Sequence, residues 1–305
     1  MKIAVSNQKG GVGKTTTSLC VAQELRSRGY RVLMIDTDAQ CNSTKFYEAR
    51  TEQEATVLDI FCGDESALNC VQHTEKGDII ASDKLLSDAE TMVKVDERRF
   101  THLKRSLRSI EDEYDYIIVD TPPSIGVALK NVLAAVDYVI IPVEESGWSL
   151  DGLMDFANAL DLARDNNEKL EVAGILIVKA KERTRKSKRM GELAAQVAEK
   201  LGTKCFRTKI RESVVCTEAL TEYCVPLNEY APDSTTNTDY KNFVNELMGE
   251  LSNGKGKLHE YSGAQCSRIS SRARIVAECT SKGEKWQALE GRSSQNILSD
   301  SDRTL

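Results

Sequence analysis

Short apolar runs alternate with amphipathic segments along most of the chain. The predicted strands are residues 2–6, 31–38, 77–82, 114–123, 137–143, 171–179 and 203–210. Their apolar positions are mostly continuous, which is typical of parallel strands that are buried on both faces. Helical spacing predicts helices at 14–28, 100–113, 150–164 and 239–251. This order predicts an α/β fold: a doubly wound, mostly parallel β-sheet with helices on both faces.

The composition changes after residue 251. Residues 252–305 are rich in Ser, Gly, Lys and Arg, and their nine basic and six acidic residues give a net charge of +3. A segment with so few apolar residues cannot bury a core of its own. We therefore predict a folded domain at 1–251 and a polar, disordered C-terminal tail at 252–305.

Composition excludes several classes of protein. The 305 residues are 40% hydrophobic, which is enough for a sizeable core, and the net charge of −6 argues against a protein coated in basic residues. The nine cysteines form no CxxC pair, and scattered thiols are typical of a reducing compartment. The short apolar run near the N-terminus is no signal peptide, and no run approaches the length of a membrane span. We predict a cytoplasmic protein.

The segment SNQKGGVGKTTT (6–17) joins the first predicted strand to the first predicted helix and nearly matches a phosphate-binding loop. Gln8 stands where the pattern has its first glycine, and Lys9 adds a second lysine. Loop amides and a helix N-terminus hold anions well. The predicted nucleotide-binding residues are Gly10, Gly11, Val12, Gly13, Lys14, Thr15 and Thr16. Among them, Lys14 would bridge the β- and γ-phosphates and the Thr15 hydroxyl would ligate Mg²⁺.

Three aspartates follow predicted strands. Hydrolysis of a nucleoside triphosphate needs one acid at the metal and another that orients the attacking water. Asp120 ends the apolar run IIVD and is the predicted metal-side acid, acting through a water. Asp38 lies past the end of the second strand, where ligands collect, and is the predicted catalytic acid. Asp36 would support it, with a turn or capping role as the alternative.

Several blocks together resemble one known family. KGGVGKTT (9–16), IDTDAQCNST (35–44) and IIVDTPPS (117–124) are similar to the nucleotide loop and switches of the ParA/Soj/MinD family, the P-loop ATPases with a deviant Walker A motif. VIIPVEESGWSLDGL (139–153) and TKIRESVVCTEA (208–219) resemble further blocks of that family. The likeness covers about residues 1–251 and is most specific in the first forty.

The resemblance, closest to the ParA/Soj type, implies a function. Lys9 would reach the phosphates of a partner's ATP, so that ATP holds a sandwich homodimer together, with Lys9, Lys14 and Asp38 as catalytic residues. Adenine would lie near Pro232 and the segment after Ile210. The ATP- and Mg²⁺-dependent dimer would bind nonspecific DNA, associate with the nucleoid and partition a plasmid, mobile element or chromosome. A ParB-like centromere-binding protein would stimulate hydrolysis to ADP and phosphate.

The sequence departs from the family at several positions. Ala39 and Cys41 stand where Pro and Gly are usual in the first switch, and IRESVV replaces the common I-P-R-N pattern at the base site. The segment APDSTTNTDY (231–240) carries no arginine, although chromosomal ParA proteins usually have one there that is associated with DNA binding. Another DNA-binding element is therefore needed.

The run KAKERTRKSKR (179–189) holds seven basic residues and one acid, a charge of +6. Phosphate contacts are driven by counterion release and are independent of sequence, so such a cluster suits nonspecific DNA. The candidate DNA-binding residues are Arg183, Arg185, Lys186, Lys188 and Arg189. The alternative is an ordinary solvated loop and helix start.

Two other functions remain open. One is a MinD-like, membrane-associated spatial regulator, which is disfavoured because the helix at 239–251 carries several acids and the tail has no sustained apolar stripe. The other is a nucleotide-gated scaffold that binds ATP and dimerises with negligible turnover.

Overall fold

A computed structural model describes the backbone at residues 1–144, 150–181 and 185–254, and the side chains at 1–144, 156–181 and 192–252. Within these ranges the strands are β1 Lys2–Val5, β2 Val32–Asp36, β3 Val71–Thr74, β4 Gly77–Ile80, β5 Tyr116–Asp120, β6 Tyr138–Glu144 and β7 Glu171–Val178. They form one sheet in the order β3-β4-β2-β5-β1-β6-β7. All neighbouring pairs are parallel except β3 with β4. The predicted α/β fold with a mostly parallel sheet is confirmed.

The α-helices of the described residues cover both faces of this sheet. They are α1 Lys14–Ser27, α2 Asn42–Phe46, α3 Val57–Cys62, α4 Ala67–Cys70, α5 Ala89–Met92, α6 His102–Leu107, α7 Val127–Ala135, α8 Leu150–Arg164, α9 Arg185–Lys200, α10 Val214–Thr217, α11 Leu227–Tyr230 and α12 Thr235–Gly254. Short 3₁₀ turns lie at Lys84–Asp88 and Glu111–Glu113, and a π turn lies at Glu218–Glu222. No helix of these described ranges has both the length and the apolar character needed to span a bilayer.

The core consists of two apolar layers, one on each side of the sheet. Alternate strand residues enter opposite layers: Ala4 of β1 packs in the layer that contains α6 and α7, whereas Ile3 and Val5 pack in the layer that contains α1 and α12. Burial on both faces explains the continuous apolar runs in the sequence.

The predicted strand at 203–210 is wrong. Cys205 forms an isolated bridge with Ile175, and the Ile210 amide donates to the Ile177 carbonyl at 2.9 Å, so the segment runs beside β7 without a continuous ladder. Between these contacts, the amides of Arg207 and Thr208 donate to the Glu246 carboxylate on α12, at 2.8 and 2.9 Å. These two amides are therefore not available for pairing with β7.

Other element boundaries also differ from the predictions. The helix predicted at 100–113 is shortened to α6 and the turn Glu111–Glu113, and the last helix begins at Thr235 rather than 239. The edge strand β3 was missed by the sequence analysis. Residues Met1–Leu251 form one compact unit. The disordered tail stays a prediction, because 255–305 lies outside the described residues.

Candidate functional site

The phosphate loop connects β1 to α1 at the carboxyl edge of the sheet. Gly11 and Gly13 have φ values of 73° and 78°, in the left-handed region that favours glycine, and Gly13 caps the N-terminus of α1. A Cβ added at Gly10 or Gly11 would meet no atom within 4 Å. The loop therefore surrounds an open cradle beside a helix N-terminus, a geometry that suits an anion.

Lys14 points its ammonium group into this cradle. Its side chain is 6% exposed, and its Nζ donates to the Lys9 carbonyl at 3.3 Å. Burial lowers the pKa of Lys14, whereas the nearby charges of Asp120 and Asp38 act in the opposite direction. A buried ammonium with one long hydrogen bond gains strongly from a phosphate partner. The bridging of phosphates by Lys14 stays a prediction.

Asp120 ends β5 and is fully buried. Its carboxylate accepts from the hydroxyls of Ser43 at 2.9 Å and Ser18 at 3.4 Å, and Thr15 also hydrogen-bonds to it. Burial, with the charge of Asp36, raises the pKa of Asp120 to about 7, and the Thr15 and Ser43 bonds oppose this shift. The site therefore holds a carboxyl group that gains from a nearby positive charge.

Asp36 ends β2 beside Asp120, and its hydrogen bonds hold the first switch, residues 35–44, in place. Its Oδ2 accepts from both the amide and the hydroxyl of Thr44 at 2.8 Å, and its Oδ1 accepts from the Asp38 amide at 3.1 Å. Burial raises the pKa of Asp36 to about 6, against these hydrogen bonds. The Asp36 carboxyl thus holds both ends of the loop 37–44, and its support of Asp38 in catalysis stays a prediction.

Asp38 lies beyond the strand end and is half-buried. Its carboxylate accepts from the Gln40 amide at 3.0 Å, and its carbonyl accepts from the Ser82 hydroxyl at 2.8 Å. These bonds fix the loop on both sides of Asp38, whose side chain stays partly exposed. Cys41, which stands where the family has glycine, adopts a left-handed backbone with φ 53°. The chain keeps the glycine-like conformation without the glycine.

Lys9 lies at the rim of the loop. Its side chain is 45% exposed, and its Nζ is 3.6 Å from Glu144 at the end of β6. Its amide donates to the Asn7 side chain at 3.0 Å, and Asn7 donates to the Pro142 carbonyl at 2.7 Å. Lys9 and Lys14 therefore differ in their surroundings: one lysine faces the cradle and the other faces outward.

The residues present fit both a nucleotide and Mg²⁺. The cradle of Gly10 and Gly11 is open where phosphate oxygens would lie, and the buried Lys14 ammonium faces it. The Thr15 hydroxyl and the Asp120 carboxylate are neighbouring oxygen donors, the ligand type that Mg²⁺ prefers.

The two segments predicted to flank adenine are tied together. The Arg211 guanidinium donates to both oxygens of Asp239 on α12 at 2.8 and 2.7 Å, and also to the Thr235 carbonyl at 3.2 Å. Pro232 is exposed, and its carbonyl accepts from Asn237 at 2.7 Å. The contact of Pro232 with a base stays a prediction.

The predicted DNA-binding residues fall mostly outside the described side chains. Arg183 lies outside the described residues. The other four, Arg185, Lys186, Lys188 and Arg189, belong to the first turns of α9, and their side chains lie outside the description. Their role stays a prediction.

Four hydroxyl residues of the site were missed by the sequence analysis. Ser18, Ser43 and Thr44 donate to the buried carboxylates, and the Thr37 hydroxyl donates to the Asp120 carbonyl at 2.6 Å. Ser18 lies one helical turn after Lys14, a spacing that places it on the same helix face. That spacing was the available signal for Ser18; the others depend on how the chain folds back.

A phosphate loop between a strand and a helix, with buried aspartates at the ends of the two strands next in the sheet, defines a P-loop nucleotide-binding protein. The family described as an AAA domain matches residues 1–172 of the chain.

Known proteins agree with this class. The sporulation initiation inhibitor protein Soj of Bacillus subtilis is 36% identical over 217 residues, which cover 70% of this chain and 83% of Soj. A plasmid partition protein from Borrelia burgdorferi, solved with AMPPNP, is 26% identical with a TM-score of 0.66, covering 83% of this chain and 98% of that one. A cobyrinic acid a,c-diamide synthase from Mycobacterium smegmatis, solved with an ATP analogue and magnesium, is 26% identical with a TM-score of 0.70, covering 83% and 96%.

The chain belongs to the ParA/Soj/MinD family of P-loop ATPases, and the resemblance predicted from the sequence is confirmed.

Proposed function

We propose that this protein is a ParA-type ATPase that partitions DNA and whose dimerisation is driven by ATP and Mg²⁺. The observation that carries the proposal is the different placement of two lysines in one loop. Lys14 is buried and faces the cradle, whereas Lys9 is 45% exposed at the rim. One lysine would serve the chain's own nucleotide, while the other, at the exposed rim, would reach a nucleotide held by a second copy.

Hydrolysis would proceed by attack of water on the γ-phosphate, giving ADP and phosphate. Asp38, half-buried at the open edge of the site, would orient that water. Lys14 would stabilise the negative charge that develops on the phosphate oxygens, and Lys9 of the partner subunit would add to this stabilisation. Bound Mg²⁺ neutralises phosphate charge when present. Asp120 and Thr15 would hold it, with Asp120 acting through a water.

The ion pair between Lys9 and Glu144 supports a moving lysine. At 3.6 Å, with side chains 45% and 22% exposed, the pair contributes little to stability and is easily exchanged. In the ATP-bound dimer, Lys9 would leave Glu144 for phosphate oxygens, which attract it more strongly. ATP would thereby become part of the dimer interface.

The partners follow from the family and from charge. Nonspecific DNA would bind the basic run 179–189, and a ParB-like centromere-binding protein would stimulate hydrolysis and release. The protein would be cytoplasmic and nucleoid-associated in its ATP form. The partition role of the Borrelia neighbour supports this assignment. The DNA to be partitioned is that of a plasmid, a mobile element or the chromosome.

The central experiment measures dimerisation and turnover. Sedimentation velocity with MgATP, MgADP or no nucleotide should show a dimer with MgATP alone. Lys9→Ala should abolish that dimer, whereas Lys169→Ala, which removes an exposed lysine in the loop after α8, should not. Dimers and hydrolysis that survive unchanged in Lys9→Ala would contradict the proposal.

A second experiment tests the partners. Phosphate release should rise when DNA and the product of the neighbouring gene are added together. A salt-sensitive, ATP-dependent gel shift should be lost when Arg185, Lys186 and Lys188 are changed to Glu. ATP-dependent sedimentation with liposomes would instead indicate a MinD-like regulator, and dimers without phosphate release would indicate a scaffold.

A further inference from the structure

The end of β7 lies beside the phosphate loop. The Val178 Cγ2 is 3.9 Å from the position that a Cβ on Gly13 would take. Lys179, the next residue, donates from its Nζ to the Gly11 carbonyl at 2.8 Å. These partners are 168 residues apart in the chain. The loop is therefore held by a distant strand as well as by β1 and α1.

The backbone at Lys179 is arranged to make this contact. Its φ of 50° lies in the left-handed region, which a residue with a Cβ adopts at a cost. The next residue is fixed, because the Ala180 amide donates to the Ile210 carbonyl at 2.9 Å and the Ala180 carbonyl accepts from Glu212 at 3.3 Å. Backbone strain of this kind persists only where the surrounding structure imposes it. Strained residues of this kind cluster at functional sites.

We propose that Lys179 is a positioning residue for the phosphate loop, an inference that rests on the nucleotide site proposed above. In a trans peptide the C=O and N–H groups point in opposite directions. Holding the Gly11 carbonyl therefore fixes the direction of the Val12 amide, one of the loop donors expected to face phosphate. The positive charge also polarises that peptide and makes its N–H a better donor.

Glycine is what makes this restraint useful. Gly11 has no Cβ, and the peptide that follows it can rotate more freely than one between bulkier residues. Without the ammonium of Lys179 the loop would sample orientations in which the Val12 amide points away from the cradle. Each such orientation reduces the fraction of molecules that are ready to bind nucleotide, and the apparent affinity falls with that fraction.

Lys179 also connects the two ends of the nucleotide site. Ala180 pairs with the segment 210–212, which leads to Arg211 and its ion pair with Asp239. The same short stretch of chain thus touches the phosphate loop on one side and the segment predicted to flank adenine on the other. Its position differs from that of Lys181, whose Nζ bridges to Glu212 at 3.2 Å.

The test compares Lys179→Met with Lys181→Met, which removes the same charge two residues away. Dissociation constants for MgADP and MgATP would be measured by calorimetry without DNA, together with kcat, KM and the apo melting temperature. Lys179→Met should raise both constants and KM about threefold to tenfold, as expected for the loss of one solvent-exposed hydrogen bond. It should leave kcat within about twofold, because the bound loop is ordered by the phosphates in either protein.

The remaining measurements separate the outcomes. Lys181→Met should keep wild-type affinities, and Lys179→Arg should recover most of the loss. Equal affinities for Lys179→Met and Lys181→Met would overturn the inference, as would a lower melting temperature with unchanged affinity. If the wild-type protein itself bound neither nucleotide, the proposed function would fail as well, so the two failures are distinguishable.

Discussion

Asp36 and Asp120 are register partners at the carboxyl ends of the neighbouring strands β2 and β5, and both side chains are fully buried. Two carboxylates so placed repel each other and lack water to solvate them. Burial raises the pKa of both side chains. The charge of Asp38 also raises the pKa of Asp36, to about 6, and the charge of Asp36 also raises the pKa of Asp120, to about 7. The sheet therefore stores an unfavourable charge at the point where the proposed metal would lie.

The first prediction concerns pH. Both pKa values are higher in the folded protein than the 3.8 of a free carboxyl, so the folded state holds more protons between about pH 4 and pH 7. Their contribution to the free energy of unfolding must then fall as pH rises through this window. In urea denaturation of the nucleotide-free proteins, the free energy of unfolding of Asp120→Asn relative to wild type should increase by at least about 1 kcal/mol between pH 4.5 and pH 8.

Carboxyls with a lowered pKa add stability as pH rises, which is the opposite effect. The quantity to measure is therefore the difference in free energy of unfolding between wild type and Asp120→Asn. Hydrogen bonds from Arg31, for example, lower the pKa of Asp115. This contribution is the same in both proteins and cancels. A difference in stability that is flat with pH would show that Asp120 does not carry the raised pKa.

The second prediction concerns magnesium. A divalent cation near Asp120 relieves the repulsion, so Mg²⁺ with nucleotide should raise the melting temperature of the wild-type protein more at pH 8 than at pH 6. Asp120→Asn should lose this pH-dependent part and should lose most Mg²⁺-dependent hydrolysis. Thermal melts with MgADP and with ADP plus EDTA provide the comparison. Equal magnesium-dependent increases in melting temperature for wild type and Asp120→Asn would show that Asp120 does not help to hold Mg²⁺.

The third prediction concerns the first switch. The Thr44 hydroxyl donates to Asp36 at 2.8 Å and accepts from the Ser82 amide at 2.8 Å, in a buried position. Thr44→Val keeps the side-chain shape and removes both bonds. The Ser82 amide would then be buried without a partner, so the free energy of unfolding should fall by about 2 kcal/mol.

The matched control for this variant is Thr44→Ser, which retains the hydroxyl. Asp36 also accepts from the Asp38 amide. Loss of the hydrogen bond from the Thr44 hydroxyl should therefore loosen the loop that carries Asp38. Turnover of Thr44→Val should therefore fall further than nucleotide affinity, while Thr44→Ser stays near wild type in both. Equal stability of the Val and Ser variants would contradict the bracing role.

Local signals were sufficient for most strands of the sheet and for the phosphate loop. The run Tyr116–Asp120 is continuous, β-branched in part and bounded by polar residues, so it could be recognised without knowing its neighbours. Glycine and lysine spacing placed the loop for the same reason. The predicted strand at 203–210 was wrong, because two backbone amides of this segment donate to Glu246 on α12. No pattern within 203–210 indicates that event.

Some residues of the candidate site could be predicted from local sequence signals, and others depend on the tertiary fold. Lys14, Asp38 and Asp120 follow strand ends or a local motif and could be named from the sequence. The contact from Lys179 to Gly11 depends on which strand lies at which position in the sheet, and on one left-handed residue. The left-handed Cys41 is also invisible in the sequence, because cysteine has no special preference for that conformation.

The last prediction separates binding from folding at Gly10. A Cβ at this position would meet no atom within 4 Å, and the Gly10 backbone is not in the left-handed region. Gly10→Ala should therefore leave the stability of the nucleotide-free protein within about 0.5 kcal/mol of wild type. In the proposed site, phosphate oxygens approach the backbone at Gly10, so a Cβ there should lower the affinity for MgATP and MgADP at least about tenfold.

Gly249→Ala is the control for this variant. Gly249 is an exposed residue of α12, and a Cβ there would also meet no atom within 4 Å. Alanine in an exposed helix should raise the free energy of unfolding by about 0.5–1 kcal/mol and should leave nucleotide affinity unchanged. Calorimetric titrations and urea denaturation of both variants decide the matter. Wild-type affinity in Gly10→Ala would mean that the open space beside Gly10 is not where phosphate binds.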